Sequence, residues 1–154
     1  MKIQDKDIFH GSALTQIVEH PSFKALNKAS EKYGHYLINT DQHIYVKHRS
    51  SPEKRKKDTG EHWQFTLQEE EKQIFQEESK QFSRLFLCLV CGSKTICTLS
   101  ADEIKGIIKL ETPGTSWIHI VIPSGGSCHI SGTDGKLKKT ISHNSFPDKV
   151  FSIV

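Results

Sequence analysis

Leu85-Phe86-Leu87-Cys88-Leu89-Val90-Cys91 is an unbroken apolar run that stops at Gly92-Ser93-Lys94 and resumes as Thr95-Ile96-Cys97-Thr98-Leu99. A short continuous apolar run bounded by a turn reads as a central strand buried on both faces, with a second strand following the tight turn. Cys88-x-x-Cys91-Gly92 also has the spacing of a zinc-ribbon knuckle. In a strand, however, residues three apart point to opposite faces, so these thiols diverge. Cys97 and Cys128 make no second pair, and Cys128-His129 is the one further ligand set. The four cysteines are therefore expected as buried packing residues, with zinc not expected and disulfides not needed.

Upstream of the buried run, Thr66-x-x-Glu69 forms a capping box, and the helix it opens runs to about Phe82 with Ile74, Phe75 and Phe82 on one face. Its other face is acidic: Glu69, Glu70, Glu71, Glu77 and Glu78. Before it, Trp63-Gln64-Phe65-Thr66-Leu67 alternates as a strand expected to return beside its predecessor. His35 to Asn39 and Ile44 to Lys47 flank the turn residues Thr40-Asp41-Gln42 and read as a hairpin, with Ile44 and Val46 opposite Tyr45 and Lys47. Nearer the start, Ala13, Leu14, Ile17 and Val18 have helical spacing that Pro21 interrupts, and a second helix is expected from about Ser22 to Tyr33.

Downstream, Ser100-x-x-Glu103 is another capping box, with Leu99, Ile104, Ile107 and Ile108 continuing the apolar face. Pro113-Gly114 ends that element, and Trp117 to Ile122 reads as a strand with Ile118, Ile120 and Ile122 on one side and His119 facing away. Ser124-Gly125-Gly126-Ser127 joins this strand to Cys128-His129-Ile130-Ser131, so it is a hairpin turn and not a phosphate loop. Phe146, Val150 and Phe151 are expected to anchor the tail on the core. The order predicts an α+β fold: a single mixed or mostly antiparallel sheet with flanking helices, an αβββαβ-like core and a C-terminal hairpin.

The chain has 154 residues, 35% of them hydrophobic, with 21 Lys+Arg against 18 Asp+Glu for a net charge of +3. That balance is globular, and a fold of this length buries roughly 70% of the surface its unfolded chain exposes. One domain over residues 1–154 is expected, since no repeat or low-complexity linker divides it. No apolar run approaches the ~20 residues of a membrane span, and the start MKIQDKDIFH is polar. A cytoplasmic protein with no membrane partner is the expectation.

The small net charge conceals its placement. KHRSSPEKRKK, Lys47 to Lys57, carries Arg49, Lys54, Arg55, Lys56 and Lys57 and reads as an exposed loop; Lys136, Lys138 and Lys139 form a second basic loop. Such loops neutralise phosphates, and the nearby aromatics Tyr45 and Trp63 offer faces for unpaired bases, so nucleic acid is the expected partner. The alternative is a protein-interaction module or homodimer that sets the basic loops against the acidic helix. Among the histidines, His35, His43, His48 and His62 flank the basic strand and form a candidate metal or acid/base group.

The order αβββαβ over about the first 100 residues resembles the core of the restriction-endonuclease-like, or PD-(D/E)XK, nuclease superfamily. The resemblance implies divalent cations such as Mg²⁺ held by an acidic residue and an (Asp/Glu)-x-Lys triplet. Asp41 and Lys47 are the positions that match, as catalytic residues, with Tyr45 standing where the triplet has its carboxylate. Glu19, Glu61 and Gln64 are the nearby groups able to replace that ligand. The texture of GHYLIN, IYVKHR, WQFTL and FLCLVCG is also similar to a group of small bacterial proteins of unassigned activity, which implies a bacterial cytoplasmic setting.

Overall fold

The computed structural model describes residues 2–29, 34–54, 60–143 and 145–152. Helix α1 (Asp5–Glu19) is followed by strands β1 (Leu26–Lys28), β2 (His35–Ile38), β3 (Gln42–Arg49) and β4 (Glu61–Leu67). Helix α2 (Glu69–Gln81) leads into β5 (Arg84–Cys91) and β6 (Thr95–Ser100). Then come α3 (Ala101–Lys105), β7 (Ser116–Ile122), β8 (His129–Gly132), β9 (Gly135–Lys136) and α4 (Asp148–Phe151).

The class is α+β, but the strands divide into two sheets where one was expected: five strands ordered β1-β2-β3-β5-β6 and four ordered β4-β7-β8-β9. All pairs are antiparallel except β3 and β5, which run parallel with Tyr45 opposite Leu87. The strand β4 does not return beside β3; it pairs with β7, Phe65 opposite Ile118. Alternation told that Trp63, Phe65 and Leu67 share an apolar face, as do Ile118, Ile120 and Ile122, but a period of two does not encode which strand is the neighbour.

Strand β5 has the two buried faces its apolar run requires. Leu85, Leu87, Leu89 and Cys91 pack with Trp63, Phe65, Leu67, Ile118 and Ile120 between the sheets. Phe86, Cys88 and Val90 pack on the other side with Ala13 and Ile17 of α1, Ile44 and Val46 of β3, and Phe146 and Val150 of the tail. Cys88 and Cys91 thus belong to different cores, as the strand period demands.

Two local expectations shift. The helix expected from Ser22 to Tyr33 is absent from the described part of that range, which instead holds β1; residues 30–33 lie outside the described residues. The reason is tertiary. Asn39, at φ 56°, accepts hydrogen bonds from the Lys24 and Ala25 amides at 2.7 and 3.1 Å, fixing the chain for pairing with β2. The capping box of α2 uses Gln68 and Glu71, because Thr66 is still in the β4 ladder opposite Trp117. Helix α2 is then tied to the chain before β7 by the buried Lys72, whose Nζ donates to Thr112 O at 3.0 Å and to Ser116 Oγ at 2.9 Å.

Candidate nucleic-acid interface

The inner face of the four-stranded sheet is core, so by strand alternation its outer face carries His62, Gln64 and Thr66 of β4, Trp117, His119 and Val121 of β7, His129 and Ser131 of β8, and Lys136 of β9. Among the described residues no helix lies over this face. The inner strand β7 presents Trp117, its second residue, at 38% exposure, an unusual position for the largest apolar side chain. Trp117 is held in place by its backbone: its amide donates to Thr133 Oγ1 at 2.8 Å, while its carbonyl accepts from the Thr133 amide at 3.1 Å. The His119 ring stands edge-on to it, with centroids 6.4 Å apart.

Beside Trp117, His119 Nε2 lies 2.9 Å from His62 Nδ1, and Glu53 Oε1 lies 3.7 Å from His119 Nδ1. The Glu53 amide donates to His62 O at 2.7 Å, so the basic loop begins alongside the edge of β4. On the other edge, Leu137 N donates to Ile130 O at 3.0 Å, extending the ladder past β9 and leading into Lys138 and Lys139. Arg49, Lys54, Lys136, Lys138 and Lys139 are all exposed. Arg55, Lys56 and Lys57 lie outside the described residues. The β4 and β9 edges are three strand spacings apart in this sheet, about 14 Å at about 4.8 Å each, with Lys54 by one edge and Lys136, Lys138 and Lys139 by the other.

The stacking residues chosen from sequence are not on this face. Tyr45 and Trp63 are buried between the sheets, and the Tyr45 hydroxyl donates to Glu78 Oε2 at 2.5 Å. Burial and that bond push the Tyr45 phenol far above its ordinary range. Trp117 was missed, although its alternation with Ile118 and Ile120 was the signal that it faces outward.

The candidate catalytic pair does not converge. Asp41 precedes β3 and Lys47 lies six residues on, about 20 Å away at about 3.3 Å per extended residue. Asp41 faces a cavity with Phe82, Arg84 and Lys149, whereas Lys47 pairs with Glu71 at 2.6 Å. The acidic face of α2 is narrower than expected for the same reason: Glu71 and Glu78 turn inward to Lys47 and Tyr45, leaving Glu69, Glu70 and Glu77 exposed.

The histidines pair across strands in a different way from the expected group. His35 Nε2 lies 3.0 Å from His43 Nδ1, His62 pairs with His119, and His48 stands edge-on to His10 with centroids 5.3 Å apart. Burial holds the His35 and His43 imidazoles below their ordinary range. Among the described residues no group of three or more His, Cys, Asp or Glu side chains is arranged to hold a metal ion. Nor is any described helix long and apolar enough to cross a membrane.

Comparison with family models, curated proteins and solved structures finds no match to this chain. What the surface can do therefore rests on its own chemistry: a sheet face with an exposed indole near one end, a pair of imidazoles beside it and lysines along the β9 edge.

Proposed function

We propose that the protein binds single-stranded nucleic acid across the outer face of the four-stranded sheet, in the cytoplasm of a bacterial cell. The observation that carries this reading is Trp117, 38% exposed near the start of β7 on the outer face of the four-stranded sheet, with Lys136, Lys138 and Lys139 along the β9 edge of that sheet. Unpaired bases stack on aromatic side chains irrespective of sequence, and a flat sheet presenting such rings is a recurrent platform for single strands. Lys54 beside β4 and Lys136, Lys138 and Lys139 along the other edge supply the phosphate contacts.

The test is fluorescence anisotropy with labelled single-stranded DNA and RNA over a salt series. Affinity falls with salt at a slope of about 0.7 per phosphate neutralised, and reversing the charge of Lys136, Lys138 and Lys139 flattens that slope. Binding that is absent at low salt, or equal in the parent and Trp117→Ala, overturns the proposal. A second reading uses the same residue: Trp117 as the centre of a contact with a second copy or a protein partner. Sedimentation that shows a dimer lost in Trp117→Ala, with no nucleic-acid affinity in either protein, selects it.

A further inference from the structure

Three of the four cysteines gather between the two sheets. Cys91 of β5, Cys97 of β6 and Cys128, immediately before β8, belong to the cluster that fills the space between the layers, while Cys88 lies on the opposite side of β5. All four are free thiols. Cys97 stands opposite Leu89 and Cys91 opposite Thr95, so those two are diagonal neighbours on paired strands. Cys128 comes from the other layer. Its amide donates to Ile141 O and its carbonyl accepts from the Ile141 amide, both at 2.9 Å, which pins its backbone at the head of β8. Its thiol is hydrogen-bonded to that of Cys97, so the two sulfurs already meet, one from β6 and one from the chain entering β8.

The pair is chemically unequal. The bond from Cys97 draws the Cys128 thiol below its ordinary range against the effect of burial, and the same contact, then burial, raises Cys97. His143 stands beside Cys128, Nδ1 4.0 Å from Sγ, with Nε2 donating to Gly126 O at 2.8 Å; in the neutral ring Nδ1 is then the proton acceptor. A thiol donor and an imidazole next to one sulfur are surroundings that favour its thiolate. Cys128 itself is fully buried. The His143 ring lines two surface cavities, of about 460 and 420 Å³, and Gly126 and Ser127 line the first of them. The imidazole therefore stands between these cavities and the sulfur, and entry past it favours an oxidant the size of water.

We propose that Cys128 and Cys97 are a peroxide-sensitive pair that closes into a reversible disulfide joining the two sheets. The Cys128 thiol passes its proton to His143 Nδ1, and the thiolate attacks hydrogen peroxide. The O–O bond breaks, Cys128 becomes a sulfenic acid, and the departing hydroxide takes the proton back from His143 as water. Cys97, no longer facing a thiolate, then attacks the oxidised sulfur; the S–O bond breaks and a second water leaves with the Cys97 proton. Two thiols are oxidised and one peroxide is reduced to two waters. In a reducing compartment such a bond is transient, so it reports the oxidant and is then erased. The nucleic-acid reading uses none of these residues, so the two stand or fall separately.

The experiment exposes the full chain to hydrogen peroxide or, separately, to oxidised glutathione, blocks the remaining thiols and maps disulfides by non-reducing peptide mass spectrometry. Peroxide is expected to give a Cys97–Cys128 link that dithiothreitol reverses, and to give it faster than the bulkier oxidised glutathione. In Cys97→Ser, Cys128 stops at the sulfenic acid, which dimedone captures; in Cys128→Ser, Cys97 stays reduced. Cys88→Ser, on the far side of β5, behaves as the parent does. Circular dichroism checks the fold of each variant, and Cys97→Ala and Cys128→Ala repeat the two tests without a buried hydroxyl. Thiols that all stay free in millimolar peroxide, a link through Cys91 or Cys88 instead, or equal rates with peroxide and oxidised glutathione overturns the proposal.

Discussion

Lys47 Nζ and Glu71 Oε2 stand 2.6 Å apart and join β3 to the first turn of α2, with the Glu71 side chain 10% exposed. The other carboxylate oxygen of Glu71 accepts from the Gln68 amide at 3.1 Å, so one side chain both caps the helix and docks it on the sheet. Glu71→Ala should therefore cost about 1–3 kcal/mol, and Glu71→Gln less, because the amide oxygen can keep the cap. Urea denaturation of Lys47→Met, Glu71→Gln and the double variant measures the coupling, expected near 1 kcal/mol. Strict additivity would show that the pair contributes nothing.

The two tryptophans separate binding from stability. Trp117→Ala should reduce single-strand affinity by about 1–3 kcal/mol, roughly tenfold to a hundredfold, and change the urea midpoint little. Trp63, 3% exposed between the sheets, behaves in the opposite way: Trp63→Ala should cost about 3–5 kcal/mol of stability. Anisotropy and urea titration on both variants check the contrast.

Acid should weaken the fold through His10, with His35 and His43 in the same direction. Their imidazoles are held neutral in the folded state chiefly by burial, His10 down to about 4 against an ordinary 6.5. Between those values the unfolded chain binds the proton and the folded chain does not, so stability present above pH 6.5 is lost as pH falls toward 4. The groups facing His10 are His48, Lys6 and Asp7, of which Asp7 opposes the shift. Urea midpoints taken across that window should fall more for the parent than for His10→Gln; parallel curves would remove His10 from the effect.

Thiol reactivity should follow placement in the two cores. Burial pushes the Cys88 thiol up to about 12. Cys128 is drawn down by a hydrogen bond from Cys97, against burial, and its Sγ lies 4.0 Å from His143 Nδ1. The other ring nitrogen, His143 Nε2, donates to Gly126 O at 2.8 Å, which orients Nδ1 toward the thiol. Alkylation of the folded protein followed by peptide mass spectrometry should label Cys128 before Cys88. The reverse order would show that local opening, and not thiolate character, governs access.

Gly132 is expected to resist substitution. A Cβ there would lie 2.5 Å from the Ile107 carbonyl oxygen, a backbone atom that cannot swing aside. Gly132→Ala should cost about 1–3 kcal/mol in a urea titration, whereas Gly114→Ala meets no neighbouring atom and is opposed only by its φ of +82°.

Features with a local cause were legible from the residues alone. The β2–β3 hairpin, the doubly buried β5, the Ser100–Glu103 cap and the isoleucine face of β7 each follow from spacing and turn chemistry, and each is found where expected. The division into two sheets was not legible, because Phe65 and Ile118 advertise an apolar face without naming the strand opposite. Nor was the strand at Leu26–Lys28, which depends on a hydrogen bond from the Lys24 amide to Asn39, fifteen residues further on. The basic residues were visible as charge, but the Trp117 indole became a surface feature only once β4, β7, β8 and β9 formed a sheet with that residue on its outer face.

Strand β5 alternates its side chains between two hydrophobic clusters that share no other strand segment so evenly. A fluctuation that loosens either cluster therefore strains the same backbone, and the two halves of the molecule melt as one cooperative unit instead of shedding a layer at a time. In hydrogen exchange the amides from Leu85 to Val90 should be the last to open, at the free energy of global unfolding, whichever of the two cores is weakened by mutation.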